Sequence, residues 1–397
     1  MKKLDIINIT SEKREVIMIE KLFELVDMKS EEYQNFLKNI CSYEARAFDK
    51  KEIDKMVDYI EAFSVSKGFA VKKTPFEKCG DFLTIDINEG NEKGNVFLAH
   101  MDTVHDKGVF GYPCVKTEND KMIGPGTIDC KGGIAIALLS MEVLKEINYK
   151  KHTRLVLTSD EEISNTLGGE KEQEFIKNSV NGFKSALNCE TTKGDEVVVS
   201  RKGILRKEIS ITGKGGHSGI DYFNSSSAVL EAANKIIELE KLSTFGKVTY
   251  NCSIINGGSV ANCIPDKCTF TVDVRVSSNQ DMINAENAIK KIAQTCYVKG
   301  TSAEVKDISS RIPMVRNSDT ERLFEQMQVI SQKYKLGELI PVESGGGSDS
   351  AYTQAAGVPS LCGLGGSGGN VHTNKEYIEL KSISKRAKLL SAFCLEY

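Results

Sequence analysis

No stretch of the chain is apolar for long enough to cross a bilayer. The first residues, Met1 to Val26, mix charged and apolar positions without the uninterrupted hydrophobic region of an export signal. The expectation is a cytoplasmic protein with no membrane partner. Charge of one sign is also lacking: Lys and Arg total 52 against 55 Asp and Glu, a net charge of -3, which leaves no electrostatic footprint for nucleic acid. The 11 cysteines have no paired spacing apart from Cys263 and Cys268, and they sit mostly inside apolar runs such as Leu187-Asn188-Cys189. Reduced, buried thiols fit this better than a disulfide framework. The glycines around Asp129 match neither a Walker loop nor a dinucleotide fingerprint, which argues against phosphate binding.

What the chain does have is a set of strand-like runs that end in metal-binding side chains. Its 397 residues, 40% of them apolar, have room for one large domain or two. Leu155-Val-Leu-Thr-Ser reads as a buried strand and stops at Asp160-Glu161-Glu162. Three adjacent carboxylates near a core need either bulk water or a compensating cation, because each costs desolvation energy and repels the others. Asn95 to Ala99 delivers His100-Met-Asp102, and alternation along an extended chain would let Asp102 accept the second imidazole N–H of His100. Asp129 lies in Gly124-Pro-Gly-Thr-Ile-Asp-Cys-Lys-Gly-Gly133, before an apolar helix expected from Ile134 to about Ile147. There it is either a rigidly placed acidic ligand or a helix cap. Ser185 to Cys189 ends in Glu190, and Pro359 to Leu364 leads through a glycine-rich loop to His372. In open α/β sheets ligands lie outside the carboxyl ends of parallel strands, so these residues should converge.

Taken together and in this order, His100-x-Asp102, the Asp129 loop, Glu161-Glu162, Glu190 and His372 resemble the co-catalytic zinc exopeptidases. That is the family of acetylornithine deacetylase, succinyl-diaminopimelate desuccinylase and the glutamate carboxypeptidases. Gly345-Gly-Gly-Ser-Asp-Ser-Ala-Tyr352 is similar to its carboxypeptidase G branch. The resemblance implies two divalent cations, zinc with cobalt or manganese as alternatives. Asp129 would bridge them, His100 and Glu190 would complete one site, and Glu162 and His372 the other. Glu161 would be the general base, turned away from Glu162 if the backbone stays extended. Two divalent cations would balance three carboxylates and one hydroxide, a neutral set that a partly buried site tolerates.

The resemblance also implies an α/β fold: a catalytic domain with a mostly parallel central sheet flanked by helices, made of residues 1–202 and 313–397, and an inserted α+β lid or dimerisation domain over 203–312 with a four-stranded sheet and two helices. Alternating strands around Glu196 to Thr212, Val248 to Ile255 and Thr269 to Val276, with helices over Ser226 to Lys241 and Asp281 to Thr295, fit that insertion. By resemblance His217 would donate to an oxyanion, while Asn262 and Arg275 would hold a substrate carboxylate and Gly346 and Ser348 would line the pocket. His217 reads equally as a turn residue, and Arg275 as a strand residue paired with a nearby acid. His105 and His152 read as surface or supporting residues. The function implied is di-metal-dependent hydrolysis of an amide bond in a small peptide or N-acyl amino acid with a free C-terminal carboxylate, by a homodimer joined through the insertion. The alternatives are a deacylase or di- or tripeptidase of the same family, a related aminopeptidase without the insertion, and a metal-binding protein without turnover.

Overall fold

The computed structural model describes the backbone from Ser11 and the side chains from Ile17 to Tyr397. The reading of Met1 to Val26, and the start of the first expected segment, fall in part on residues 1–10, outside the described residues.

Apolar runs with no polar alternation must be covered on both faces, and the central sheet is built that way. Its six strands lie in the order Ala70–Thr74, Phe82–Ile87, His152–Thr158, Lys93–His100, Ser185–Asn188 and Ser360–Leu361. The first two junctions are antiparallel and the other three parallel. Phe97, Ala99, Leu155, Leu157 and Leu187 face one way, into a core shared with the helices Ser11–Cys41, Lys50–Ser66, Lys131–Glu146 and Leu380–Glu396. Val96, Leu98, Val156 and Ala186 face the other way, against Ile176 and Val180 of helix Glu170–Val180 and Tyr352 of helix Ser350–Ala355. The helix Lys131–Glu146 is buried from Lys131 to Leu144, so its nearly all-round hydrophobicity is matched by its position under the sheet.

A separate antiparallel sheet has the order Val248–Gly257, Lys267–Val276, Gly203–Thr212, Ser302–Arg311. Leu205, Ile209, Ile211, Phe270, Val272 and Val274 point to one face and pack against the helices Ala228–Glu240 and Asn279–Gln294 in a core of their own. The parallel-rich sheet plus a four-stranded antiparallel one is the expected architecture. The strand Ser302–Arg311 was implied by the resemblance alone, because an edge strand exposed at most positions carries little hydrophobic signal.

Two details depart from the sequence reading. The strand His152–Thr158 stops before the carboxylate cluster, and Glu161 and Glu162 lie in a turn closed by Asn165 N to Asp160 O at 2.9 Å. The glycine run after Glu343 is framed by a strand, Ile340–Ser344, which pairs in parallel with Glu196–Arg201, and by helix Ser350–Ala355. Spacing does not reveal that pairing, since the two strands are distant in the chain.

The antiparallel domain core is clasped by a buried ion pair. Lys235 Nζ lies 2.8 Å from Glu231 and donates to the carbonyls of Ile292, Ala293 and Thr295, capping the end of the neighbouring helix, while Glu231 accepts from Tyr297 N and Val298 N. Removing one partner strands the other charge in the interior. Lys235→Met should therefore lower stability by about 3 kcal/mol in urea unfolding.

Candidate metal centre

Three adjacent parallel strands deliver the first groups. Lys93–His100 lies in the middle with His100 at its tip, opposite Thr158 on one neighbour, while the other neighbour pairs Asn188 with Leu98. Continuing past those ends, one neighbour supplies the Glu161-Glu162 turn and the other supplies Glu190. Asp129 and His372 come from a second small sheet, Gly368–Gly369, Tyr377–Glu379, Lys121–Ile123 and Lys116–Glu118, whose loops carry both residues.

These side chains converge on Asp129. His100 Nε2 lies 3.2 Å from Asp129 Oδ1 and 3.7 Å from Glu190 Oε1, and His372 Nε2 lies 3.4 Å from Asp129 Oδ2 and 3.3 Å from Glu162 Oε2. Each oxygen of Asp129 thus serves one three-membered group, His100-Asp129-Glu190 and Asp129-Glu162-His372, both compact enough to hold a metal ion. His100 Nδ1 sits 3.1 Å from the Asp102 carbonyl and 3.4 Å from its carboxylate, which leaves Nε2 as the ligating nitrogen. The main partners of the Asp102 carboxylate are the backbone N–H groups of Glu161 and Glu162 at 3.3 and 3.0 Å, so it fixes the acidic turn as well as the imidazole.

The charge balance tests whether cations fit. Burial, and then Asp129, push Glu162 well above the usual carboxylate range; burial, against the opposing pull of Arg201, pushes Glu190 up to about 7. Burial would also raise Asp129, but hydrogen bonds from His100 and His372 hold it well below its ordinary value. Hydrogen bonds to Asp129 and Glu162 raise His372 to about 10, and His100 rises although burial opposes it, through Cys130, Asp102 and Asp129. Protons are drawn in wherever cations would be. The donor set therefore fits two hard or borderline divalent ions, two imidazoles and three carboxylates around a shared oxygen bridge.

Glycines let the backbone close around Glu190. A Cβ on Gly133 would lie 2.0 Å from the Cys189 carbonyl, and one on Gly365 would lie 2.4 Å from the same oxygen and 2.7 Å from that of Glu190. Asp129 does not cap the helix; its own N–H donates to Glu376 Oε1 at 3.1 Å, as that of Ile128 does at 3.0 Å.

Several functional candidates fall outside the sequence reading. Glu376 also holds His105 at 2.7 Å, and His152 is buried against Asp86 at 2.6 Å, so both histidines are interior, not surface, residues. The spacing His372-x3-Glu376 was the available signal. Arg201 and Arg311 are buried beside the acids: Arg201 Nη2 lies 3.7 Å from Glu190, and Arg311 pairs with Glu161. The turn, and not an extended backbone, separates Glu161 from Glu162. A cleft of about 600 Å³ opens at Arg201, lined also by Thr192, Lys193, Ser344, Gly345 and Asn370.

The other candidates are placed apart. His217 is exposed on the ribbon Gly216–His217 paired with Cys263–Ile264, its Nδ1 accepting from Gly219 N, and Ser218 N donates to the Asn262 carbonyl. An open groove of about 760 Å³ in the antiparallel domain is lined in part by His217. Arg275 is paired with Asp273 on its own strand, as the surface reading allowed, and reaches the Gly345 carbonyl at 3.4 Å. Ser348 is fully buried, its hydroxyl bonded to Asn188, Ser350 and Cys362, which corrects its assignment to the pocket surface. Gly346 approaches Arg201, with a built Cβ 3.6 Å from Nη1. Because Glu376 fixes the backbone of the bridging acid, Glu376→Ala should weaken metal binding by about 10- to 100-fold in a titration followed by calorimetry.

Known proteins resemble this arrangement along most of the chain. Carboxypeptidase G2 of Pseudomonas sp. (strain RS-16) is 28% identical over 369 residues, covering 91% of this chain and 88% of that protein. Succinyl-diaminopimelate desuccinylase of Rickettsia bellii (strain RML369-C) is 23% identical over 393 residues, covering 92% and 96%. The solved structure of an M20 family metallo-carboxypeptidase, Sso-CP2 from Sulfolobus solfataricus, superposes with a TM-score of 0.76 at 17% identity, covering 91% of this chain and 98% of that one. Residues 96–396 match the model of Peptidase family M20/M25/M40, and the chain belongs to that family of hydrolytic enzymes.

Proposed function

We propose that the chain is a di-metal amidohydrolase that removes the C-terminal residue from a small peptide, or the acyl group from an N-acyl amino acid, when the substrate carries a free carboxylate. The observation that carries this reading is the pair of ligand groups sharing Asp129. His100, Asp129 and Glu190 would hold one ion and Asp129, Glu162 and His372 the other, with zinc the first choice and cobalt or manganese possible. Bound there, the ions would acidify a water molecule and polarise the scissile carbonyl.

The remaining steps belong to side chains. Glu161 takes the proton of the attacking water and delivers it to the leaving nitrogen, a transfer suited to a carboxylate that is not itself a ligand. Asp102 orients His100 and the Glu161-Glu162 turn. His217 donates to the developing oxyanion. Arg275, beside the Gly345 carbonyl, and Asn262, set apart on the ribbon that carries His217, would hold the substrate carboxylate, and Lys193 and Arg201 add positive charge to the neighbouring cleft. Residues 203–312 form the inserted unit between catalytic segments 1–202 and 313–397. The small net charge of -3 leaves no electrostatic footprint for nucleic acid, and among the described residues no helix is long and apolar enough to cross a membrane; the proposed setting is the cytoplasm, without nucleic-acid or membrane partners.

A second copy of the chain is the proposed partner of the inserted sheet. Strand Val248–Gly257 is paired on one side only and exposes Ile254 and Ile255, and the adjacent helix Ala228–Glu240 exposes Leu230 and Ile237. An unpaired apolar edge invites continuation of the sheet across a two-fold axis.

Three measurements check these proposals. A panel of dipeptides, tripeptides and N-acyl amino acids with zinc, cobalt or manganese should show turnover that disappears when the C-terminus is amidated. Glu161→Gln should lower kcat by at least about 1,000-fold while keeping two metal ions bound; loss of metal in that variant would exchange the roles of base and ligand. Light scattering at micromolar concentration should give twice the chain mass, and Ile254→Lys should convert it to the monomer mass.

A further inference from the structure

Glu161 makes its side-chain hydrogen bond through one oxygen. Oε1 accepts from Arg311 Nη1, and among the described residues Oε2 has no partner. Arg311 does more than neutralise that carboxylate. Its Nη2 donates to the Glu161 carbonyl at 2.9 Å and to Asn165 Oδ1 at 2.7 Å, its Nε to the same Oδ1 at 3.1 Å, and Asp349 Oδ1 lies 3.6 Å away. One buried guanidinium therefore spans the turn from Glu161 to Asn165 and grips the carboxylate beside it.

A β-bulge aims this side chain. In strand Ser302–Arg311, Ala303, Val305 and Asp307 lie opposite Ile211, Ile209 and Lys207, on the face covered by the helices. The register then shifts between Asp307 and Ser309, so that Ser310 pairs with Leu205 and Arg311 with Ile204. In an unbroken register Arg311 would lie opposite Gly203, keep the parity of Val305 and point into the helix layer. With the shift, Arg311 joins the face of Ile204, towards the catalytic sheet, and a Cβ on Gly347 would lie 2.9 Å from both Arg311 Cδ and Ile204 Cδ1. Bulges re-aim side chains in this way because a one-residue slip exchanges the two faces of a strand.

We infer that Arg311 is a positioning residue for the hydrolysis: carried in from the inserted sheet, it holds Glu161 by Oε1 and the turn backbone so that Oε2 faces the attacking water. This rests on Glu161 being the base. A rigid planar fork suits the task, since its several N–H groups reach a carboxylate, a carbonyl and an amide oxygen together, which an ammonium at the end of a flexible stem does not. The structure thereby makes the base depend on a strand that belongs to the other sheet.

Steady-state kinetics on the metal-loaded chain test this. Arg311→Ala should lower kcat by about 100-fold, leave KM within about three-fold and leave the metal content unchanged. Added guanidinium chloride at millimolar concentration should restore at least about ten-fold of the loss in Arg311→Ala and none in Glu161→Gln. Arg311→Lys keeps the buried charge and the fold; it should show the same loss of kcat at constant KM, smaller in size, and serves where the alanine variant does not fold. A rise in KM at constant kcat would overturn the inference and make Arg311 a substrate anchor, as would a folded, metal-loaded Arg311→Ala that ignores guanidinium. A cycle of Arg311→Lys, Glu161→Gln and the double variant in urea unfolding reads the pair without substrate. Non-additive midpoints are expected, and additive ones would remove the pairing. Absence of turnover in the unaltered chain beside a non-additive cycle would instead overturn the hydrolase reading that the inference rests on.

Discussion

Carboxylates crowded around a single aspartate are the constraint to which the rest of this structure answers. Asp129, Glu190 and, just beyond them, Glu161 are buried with the covered side chain of Glu162 among them, and like charges at that density cannot all stay ionised in a low-dielectric interior without positive charge among them. Two imidazoles and two guanidiniums provide part of it. His100 and His372 touch the bridging acid directly, whereas Arg201 and Arg311 stand behind Glu190 and Glu161. The remaining demand suits divalent cations, and the way the histidines and glutamates draw in protons expresses the same demand.

The scaffold meets that constraint by dividing the work between layers. The parallel core of the central sheet brings three strand ends into line, so His100, the Glu161-Glu162 turn and Glu190 arrive from one direction. A small antiparallel sheet brings Asp129 and His372 from the other, and Glu376 ties its two loops together by accepting from the N–H groups of Ile128 and Asp129. His372 keeps half its side chain open to solvent, at 54% exposure, while His100 is buried at 2%. One ligand group is thus open to solvent through His372, and the other is enclosed.

The inserted sheet contributes to the catalytic layer through its ends. Arg201 closes the strand that precedes it and Arg311 closes its last strand, and the two segments are bridged by Arg201 N to Met314 O at 2.9 Å. The Gly345–Gly347 backbone runs between these arginines, accepting from Arg201 at Gly347 and from Arg275 at Gly345. Of its three glycines Gly347 is the tight one, where a Cβ would meet Arg311 Cδ and Ile204 Cδ1 at 2.9 Å.

Much of this was legible in the sequence. Residue type and strand-end position pointed to His100, the Glu161-Glu162 pair, Glu190 and His372, because buried carboxylates and histidines at the ends of apolar runs are costly unless they act together, and the family resemblance added Asp129 as the shared ligand and set Glu162 apart from Glu161. Apolar runs also marked the central strands, and helical spacing marked the long helices. The parts that stayed hidden depend on contacts between distant positions. Arg311 is one residue among several in a mostly exposed edge strand, and only the bulge at Ile308 decides which face it takes. Ser348 looks like a pocket residue until Asn188 and Cys362 are seen to consume its hydroxyl. Sequence alone determined which groups the site contains, since chemistry and local period are written residue by residue. Tertiary structure decided which oxygen faces which nitrogen, because strand register and the closing of turns depend on partners hundreds of residues away.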